Sequence, residues 1–230
     1  LQTNPVIPTL GQGAYTIPDA AQILNIPQPT LRRWVAGYWR VSEAEKRRVF
    51  PAETLALWGQ GADRAFNFYT LIEVFVIARL REQGLTFRTI RQARQELAQR
   101  LKTDYPFASH ELLHDGKRLL IEMDDKTLLQ LGTQGQTAFE RIIGPFCKKL
   151  DFCKETQLAN RYWPMGKNSA VVVDPRHGFG RPTIAGTNIA TETVHDLYRA
   201  GEGKETICDL YDLPLSHVDE ALNFEMQKAA

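Results

Sequence analysis

Cysteine is scarce: the 230 residues hold three, Cys147, Cys153 and Cys208. An odd number cannot pair completely and no Cys-x-x-Cys occurs, so no disulfide framework is expected and a reducing cytoplasm fits best. No apolar run approaches the ~18–20 residues that span a bilayer, so no membrane association is expected. The opening stretch, LQTNPVIPTLGQG, has neither a basic n-region nor an apolar h-region, which argues against secretion. A large net charge is also missing, the balance being +1. Gly178, Gly180 and Gly186 form no nucleotide fingerprint, because no strand–helix–strand context follows them. They read as tight turns.

The small net charge conceals an asymmetry. Up to Lys102 there are 14 Lys/Arg against 8 Asp/Glu, and from Thr103 onward 14 against 19. A basic half is an electrostatic footprint for phosphate binding when a suitable motif lies in it. That motif is the stretch from Tyr15 to Phe50. A short extended piece, Tyr15 to Ile17, leads into a helix with Ala20, Ala21, Ile23 and Leu24 crowded on one side. Asn25 ends it, and Pro27 and Pro29 force a turn, Pro29 standing where a helix tolerates proline. A second helix, Pro29 to Ala36, turns Leu31, Trp34 and Val35 inward and leaves Thr30, Arg32 and Arg33 outside. This is the helix-turn-helix arrangement. After Gly37, two basic arms, Tyr38–Val41 and Arg47–Phe50, flank a polar loop from Ser42 to Lys46 and make a two-stranded wing. Trp39 is expected to be buried against the first helix.

The remainder reads as mainly α with small β elements, an α+β chain. A loose arm spans 1–13, the winged helix-turn-helix 14–60, a helical hairpin 61–103, an α+β connector 104–173 and a three-helix unit 174–230. Pro51 to Trp58 is expected to be a helix with Leu55 and Trp58 inward, and Gly59-Gln60-Gly61 a joint. Phe66 to Gln83 carries Phe68, Leu71, Ile72, Phe75, Val76 and Leu80 at helical spacing. Gly84 stops it. Thr86 caps a second helix that buries Phe87, Ile90, Ala93 and Leu97, with Arg88, Arg91 and Arg94 on a solvated face. In the connector, Leu119–Met123, Leu150–Phe152, Arg161–Trp163 and Ala170–Val173 read as strands and Gln136–Lys149 as a helix. In the last unit, Thr191 is a capping candidate for a helix from Glu192 to Ala200. A second helix runs from Lys204 to Tyr211 with Ile207 and Leu210 inward. Pro214 and Ser216 open a third, with Val218, Leu222 and Phe224 or Met226 available for packing.

Two stretches resemble known families. Thr30-Leu31-Arg32 with Trp34, and Arg48-Val49-Phe50 at the wing's end, are similar to the MerR-type winged helix-turn-helix; Arg33 and Arg47 stand where that family often has tyrosine. Asp174-Pro175, Gly180-Arg181-Pro182-Thr183-Ile184, Gly186-Thr187 and the three-helix end resemble the antitoxin-associated family known as domain of unknown function 433. Together they resemble the layout of VapB-like antitoxins paired with PIN-like ribonuclease toxins. The resemblance implies DNA-binding autoregulation and toxin neutralisation.

Two signals could carry other chemistry. His110-Glu111-Leu112-Leu113-His114 fits the zinc-protease pattern literally, but Pro106 and Asp115-Gly116 leave room for about two helical turns and no third ligand is evident. It reads as a short capped helix, with no catalytic residue, metal or cofactor assigned. Cys147 and Cys153 lie six apart, outside common zinc spacings, and read as packed thiols.

The expected function is therefore an antitoxin that represses its own operon, with a non-enzymatic role. Thr30, Arg32 and Arg33 would reach the major groove, and Arg40, Lys46, Arg47 and Arg48 the backbone or the neighbouring minor groove. One module buries too little surface for tight specific binding, so a homodimer on double-stranded operator DNA is expected. Arg176 and Arg181 would contact the PIN-like toxin. The alternative is a MerR-like regulator that senses a small molecule or metal and has no toxin partner.

Overall fold

The structure is a computed structural model and describes residues 11–36, 39–41, 46–48, 55, 57–59, 64–82, 84–110 and 146–228. Seven α-helices and nine short strands lie among the described residues, an α+β fold in which every sheet is antiparallel. Strand β1 (Tyr15–Thr16) enters helix α1 (Ile17–Leu24), and helix α2 (Gln28–Ala36) follows after a three-residue turn. Strands β2 (Trp39–Val41) and β3 (Lys46–Arg48) form the two-stranded wing. The second arm thus starts at Lys46, one residue earlier than expected.

Residues 57–58 differ from the expected helix. Leu57–Trp58 is a strand, β4, paired with β5 (Ala65–Phe66), which also pairs with β1 in the order β1-β5-β4. Local helix propensity loses here to pairing with a partner that lies beyond Gly59. Leu55 is buried, as expected, and the sheet spans both sides of residue 60.

Helix α3 (Phe68–Glu82) begins one turn after β5, because buried Asn67 caps it: the Asn67 Oδ1 accepts the Thr70 N–H at 2.9 Å. The expected stripe is buried, but so are Thr70, Glu73, Val74, Ile77 and Ala78, so α3 is enclosed on most sides. Helix α4 (Phe87–Leu101) is capped by the Thr86 hydroxyl and ends at Lys102 in the left-handed conformation. Arg94 does not lie on a solvated face. Its Nε donates to Glu73 Oε2 at 2.7 Å, its side chain is 11% exposed, and Glu73 is fully buried. The Phe107 N–H donates to the other Glu73 oxygen at 3.1 Å. One carboxylate therefore ties α3, α4 and the 3-10 turn Pro106–Ala108 together.

Strands β6 (Leu150–Phe152), β7 (Ala159–Tyr162), β8 (Val171–Val173) and β9 (Pro182–Ile184) form the largest sheet in sequential order. It crosses the expected boundary at 173/174. Helices α5 (Thr191–Arg199), α6 (Lys204–Tyr211) and α7 (Leu215–Lys228) complete the chain. Thr191 is not the cap of α5 but its first helical residue; Ala190 holds the cap position, and the Thr191 hydroxyl bonds to Glu225 on α7. Ile207 is buried as expected, whereas Leu210 is 63% exposed. Ala170, Ile184, Val194, Ile207, Val218 and Leu222 contribute to a small second core, separate from the main one that runs from Tyr15 to Val173. All three cysteines are free. No helix among the described residues is long and apolar enough to cross a membrane.

Candidate nucleic-acid interface and the adjoining cleft

The α1–α2 pair is set by local chemistry at both ends. Thr16 and Asp19 close a capping box at the start of α1: the Asp19 N–H reaches the Thr16 hydroxyl, and Asp19 Oδ2 accepts the Thr16 N–H at 3.0 Å. At its end Asn25 adopts φ 51°, ψ 52°, a left-handed cap that asparagine tolerates, and the Ile26 N–H returns to the Ala21 carbonyl. The Pro27 carbonyl then accepts the Leu31 N–H and starts α2. Leu31 and Val35 are fully buried, and half-buried Trp34 meets Phe87 of α4 edge-on at 6.1 Å. These anchors fix the rotation of α2. They leave Arg32 and Arg33 exposed, with Thr30 half-buried and its hydroxyl 3.5 Å from Arg33 Nη2.

The wing's backbone register sets Arg40 opposite Arg47, with Lys46 opposite Val41 and Arg48 opposite Trp39. The side chains of the wing, Trp39 among them, lie outside the described residues. Like charges directly opposite one another in an antiparallel pair are destabilising unless a counter-charge is supplied, which a phosphate would do. Within the 110–114 motif only His110 is described; it is half-buried and meets Phe152 edge-on.

The two expected toxin-contact arginines are placed differently. Arg176 grips Asp174, its Nε on Oδ1 at 3.0 Å and Nη2 on Oδ2 at 2.8 Å, while Arg161 Nε donates to Oδ2 at 2.8 Å. Burial opposes the charge on Asp174, yet the hydrogen bonds from Arg176 and Arg161 outweigh it and hold the carboxyl at about 2. Arg176 is thus committed within the fold. Arg181 instead lines a cleft of about 630 Å³ between α1 and α5. Gln22 and Ile23 wall one side, Glu192, His195 and Arg199 the other. Tyr15, Phe179, Asp196 and Glu225 also line it. The seam beneath this cleft depends on glycine: a Cβ on Gly180 would come within 2.1 Å of the Tyr15 hydroxyl. Tyr15, Phe179 and Arg199 drew no attention in the sequence, because nothing local links residues so far apart.

The fold and this site define a chain with a helix-turn-helix domain at one end and a small helical module at the other. Residues 13–94 match the family "Putative DNA-binding HTH domain" and residues 171–224 match "Protein of unknown function (DUF433)". A Mycobacterium tuberculosis protein named "Putative antitoxin VapB45" is 25% identical, over 91% of this chain and 92% of its own length. A second protein of that organism, "Uncharacterized protein Rv2308", is 23% identical over 94% and 91%. The crystal structure of Rv2018, also from M. tuberculosis, shares the fold with a TM-score of 0.69 at 20% identity, over 90% of this chain and 96% of that one.

Proposed function

We infer that the chain is a DNA-binding antitoxin of a type II pair, of MerR-like and VapB-like character, that represses its own operon and neutralises a PIN-like ribonuclease. The observation that carries the DNA half is α2: its inner face is locked into the core while Arg32 and Arg33 stand in solvent, next to a wing with arginine set against arginine. The α2 helix enters the major groove of a cytoplasmic operator, Arg40, Lys46, Arg47 and Arg48 hold phosphate, and a homodimer supplies the second half-site. The role is binding rather than catalysis. The toxin half is supported by the name of the VapB45 relative and by Arg181, whose guanidinium makes no hydrogen bond or ion pair among the described residues.

Replacing Arg32 and Arg48 together by alanine tests the DNA half. Retardation of the chain's own promoter fragment should weaken, and the slope of log affinity against log salt should fall by about 2, since each lost phosphate contact removes about 0.9. Unchanged retardation by that double variant refutes the assignment. A sensor without a toxin partner is the second reading, favoured by one observation: the α1–α5 cleft has the volume of a small-molecule site. Metal sensing through Cys147 is disfavoured, because burial pushes that thiol up to about 12, away from the thiolate a metal needs.

A further inference from the structure

Three hydrogen-bond donors face the α1–α5 cleft without an acceptor. Tyr15 is 1% exposed, and its hydroxyl is a buried oxygen with no partner. Burial, with the charges of Asp174 and Asp19, keeps that phenol protonated, so it presents an O–H. Arg181 and Arg199 line the same cleft and make no hydrogen bond or ion pair among the described residues. Two of the cleft's carboxylates are already engaged. Asp19 is closed into its capping box, and Glu225 accepts the Thr191 hydroxyl. Glu192 and Asp196 remain on the exposed side of α5. A buried donor left unpaired is costly, and an acceptor brought by a partner removes that cost.

Phe179 adds an apolar anchor. Its ring is 72% exposed, although its backbone sits at φ 57°, ψ 22°, a conformation disfavoured for a residue with a β-carbon. The backbone is pinned there: the Ala14 N–H donates to the Phe179 carbonyl at 3.0 Å, and Gly178 and Gly180 flank it with positive φ. A pocket for a small molecule encloses its aromatic side chains, whereas a ring held out into solvent suits a surface that covers it. Among the described residues, the large apolar side chains that stand exposed are Phe179, Tyr198, Leu210, Leu215 and Met226, all of them near or within the three-helix module.

We propose that this cleft is the docking site for an extended, carboxylate-bearing segment of a protein partner. Its acid meets Arg181 and Arg199, one of its oxygens accepts the Tyr15 O–H, and an apolar side chain covers Phe179. The proposal rests on the toxin-partner half of the function above and assigns that contact to a surface walled by both modules.

The test uses the full chain and the product of the neighbouring reading frame, with affinity measured by calorimetry. Phe179→Gly should weaken the complex about tenfold, the loss of one anchor, without lowering the melting temperature, since glycine suits the left-handed backbone. Tyr15→Phe should weaken it about fivefold while the free chain melts higher, its unpaired hydroxyl gone. Arg181→Ala combined with Arg199→Ala should weaken it and reduce its salt dependence. Promoter retardation should be unchanged in all of them. If the wild-type chain binds the partner and these variants bind equally well, docking lies elsewhere and the toxin reading survives alone. If the wild type does not bind it, the toxin reading falls and takes the proposal with it. Loss of promoter retardation in Phe179→Gly would make the ring a DNA contact and overturn the proposal.

Discussion

Glu73 sits in the middle of an apolar run, FYTLIEVFVIARL, and holds three elements through its two oxygens. Burial raises its carboxyl to about 7, even against the charge and hydrogen bond of Arg94. Since that value lies above the ordinary 4.5, folding takes up a proton between the two. The stability this group contributes is fully present below about 4.5 and is lost as pH rises through about 7. Glu73→Gln keeps an acceptor for the Phe107 N–H and cannot ionise. Urea unfolding at pH 5 and pH 8 should therefore show the wild type losing ground to this variant as pH rises, by on the order of 2–3 kcal/mol. A difference that is flat, or that grows in favour of the wild type, would mean that the Arg94 charge outweighs burial.

Elements differ in how far their own residues determine them. The α1–α2 pair is local: a capping box, an asparagine cap and two prolines define it within twenty residues. Thr16→Ala should consequently cost about 1 kcal/mol in thermal unfolding, the usual value of a lost N-cap. No loss would show that β1 pairing alone sets the start of α1. This locality is why the helix-turn-helix was legible in the sequence, down to Leu31 and Val35 inside and Arg32 and Arg33 outside. Leu57–Trp58 was not legible, because a two-residue strand has no period and its partner lies across Gly59. Arg94 was misread for a related reason. Its partner is 21 residues away on another helix, and the signal that could have found it was the lone acid among the apolar residues of α3. Tyr15 against Gly180 left no local trace beyond the glycines themselves.

At the scale of the whole molecule, the two ends of the chain are electrically unlike and mechanically joined. From Thr191 to Lys228 there are nine acidic and three basic residues, a surface that repels phosphate, so the winged end is the DNA-facing one. Yet the three-helix module is not a detachable appendage. Its first strand, β8, pairs with β7, its Val173 belongs to the main core, and its Asp174 is held by Arg161. Gly180 closes over Tyr15, the first strand of the winged module. Removing residues 170–230 would thus strip the cover from Tyr15 and leave β7 as an unpaired edge. The fragment 1–169 should unfold at a lower urea concentration than the full chain. In the full chain, tryptophan fluorescence and far-ultraviolet circular dichroism should report one coincident transition. Equal midpoints for fragment and full chain, or two separated transitions in the latter, would make the modules independent. Point variants at Tyr15, Phe179 and Arg181 are for that reason the sounder probe of partner binding, since a deletion at this seam would disturb the DNA-binding end as well.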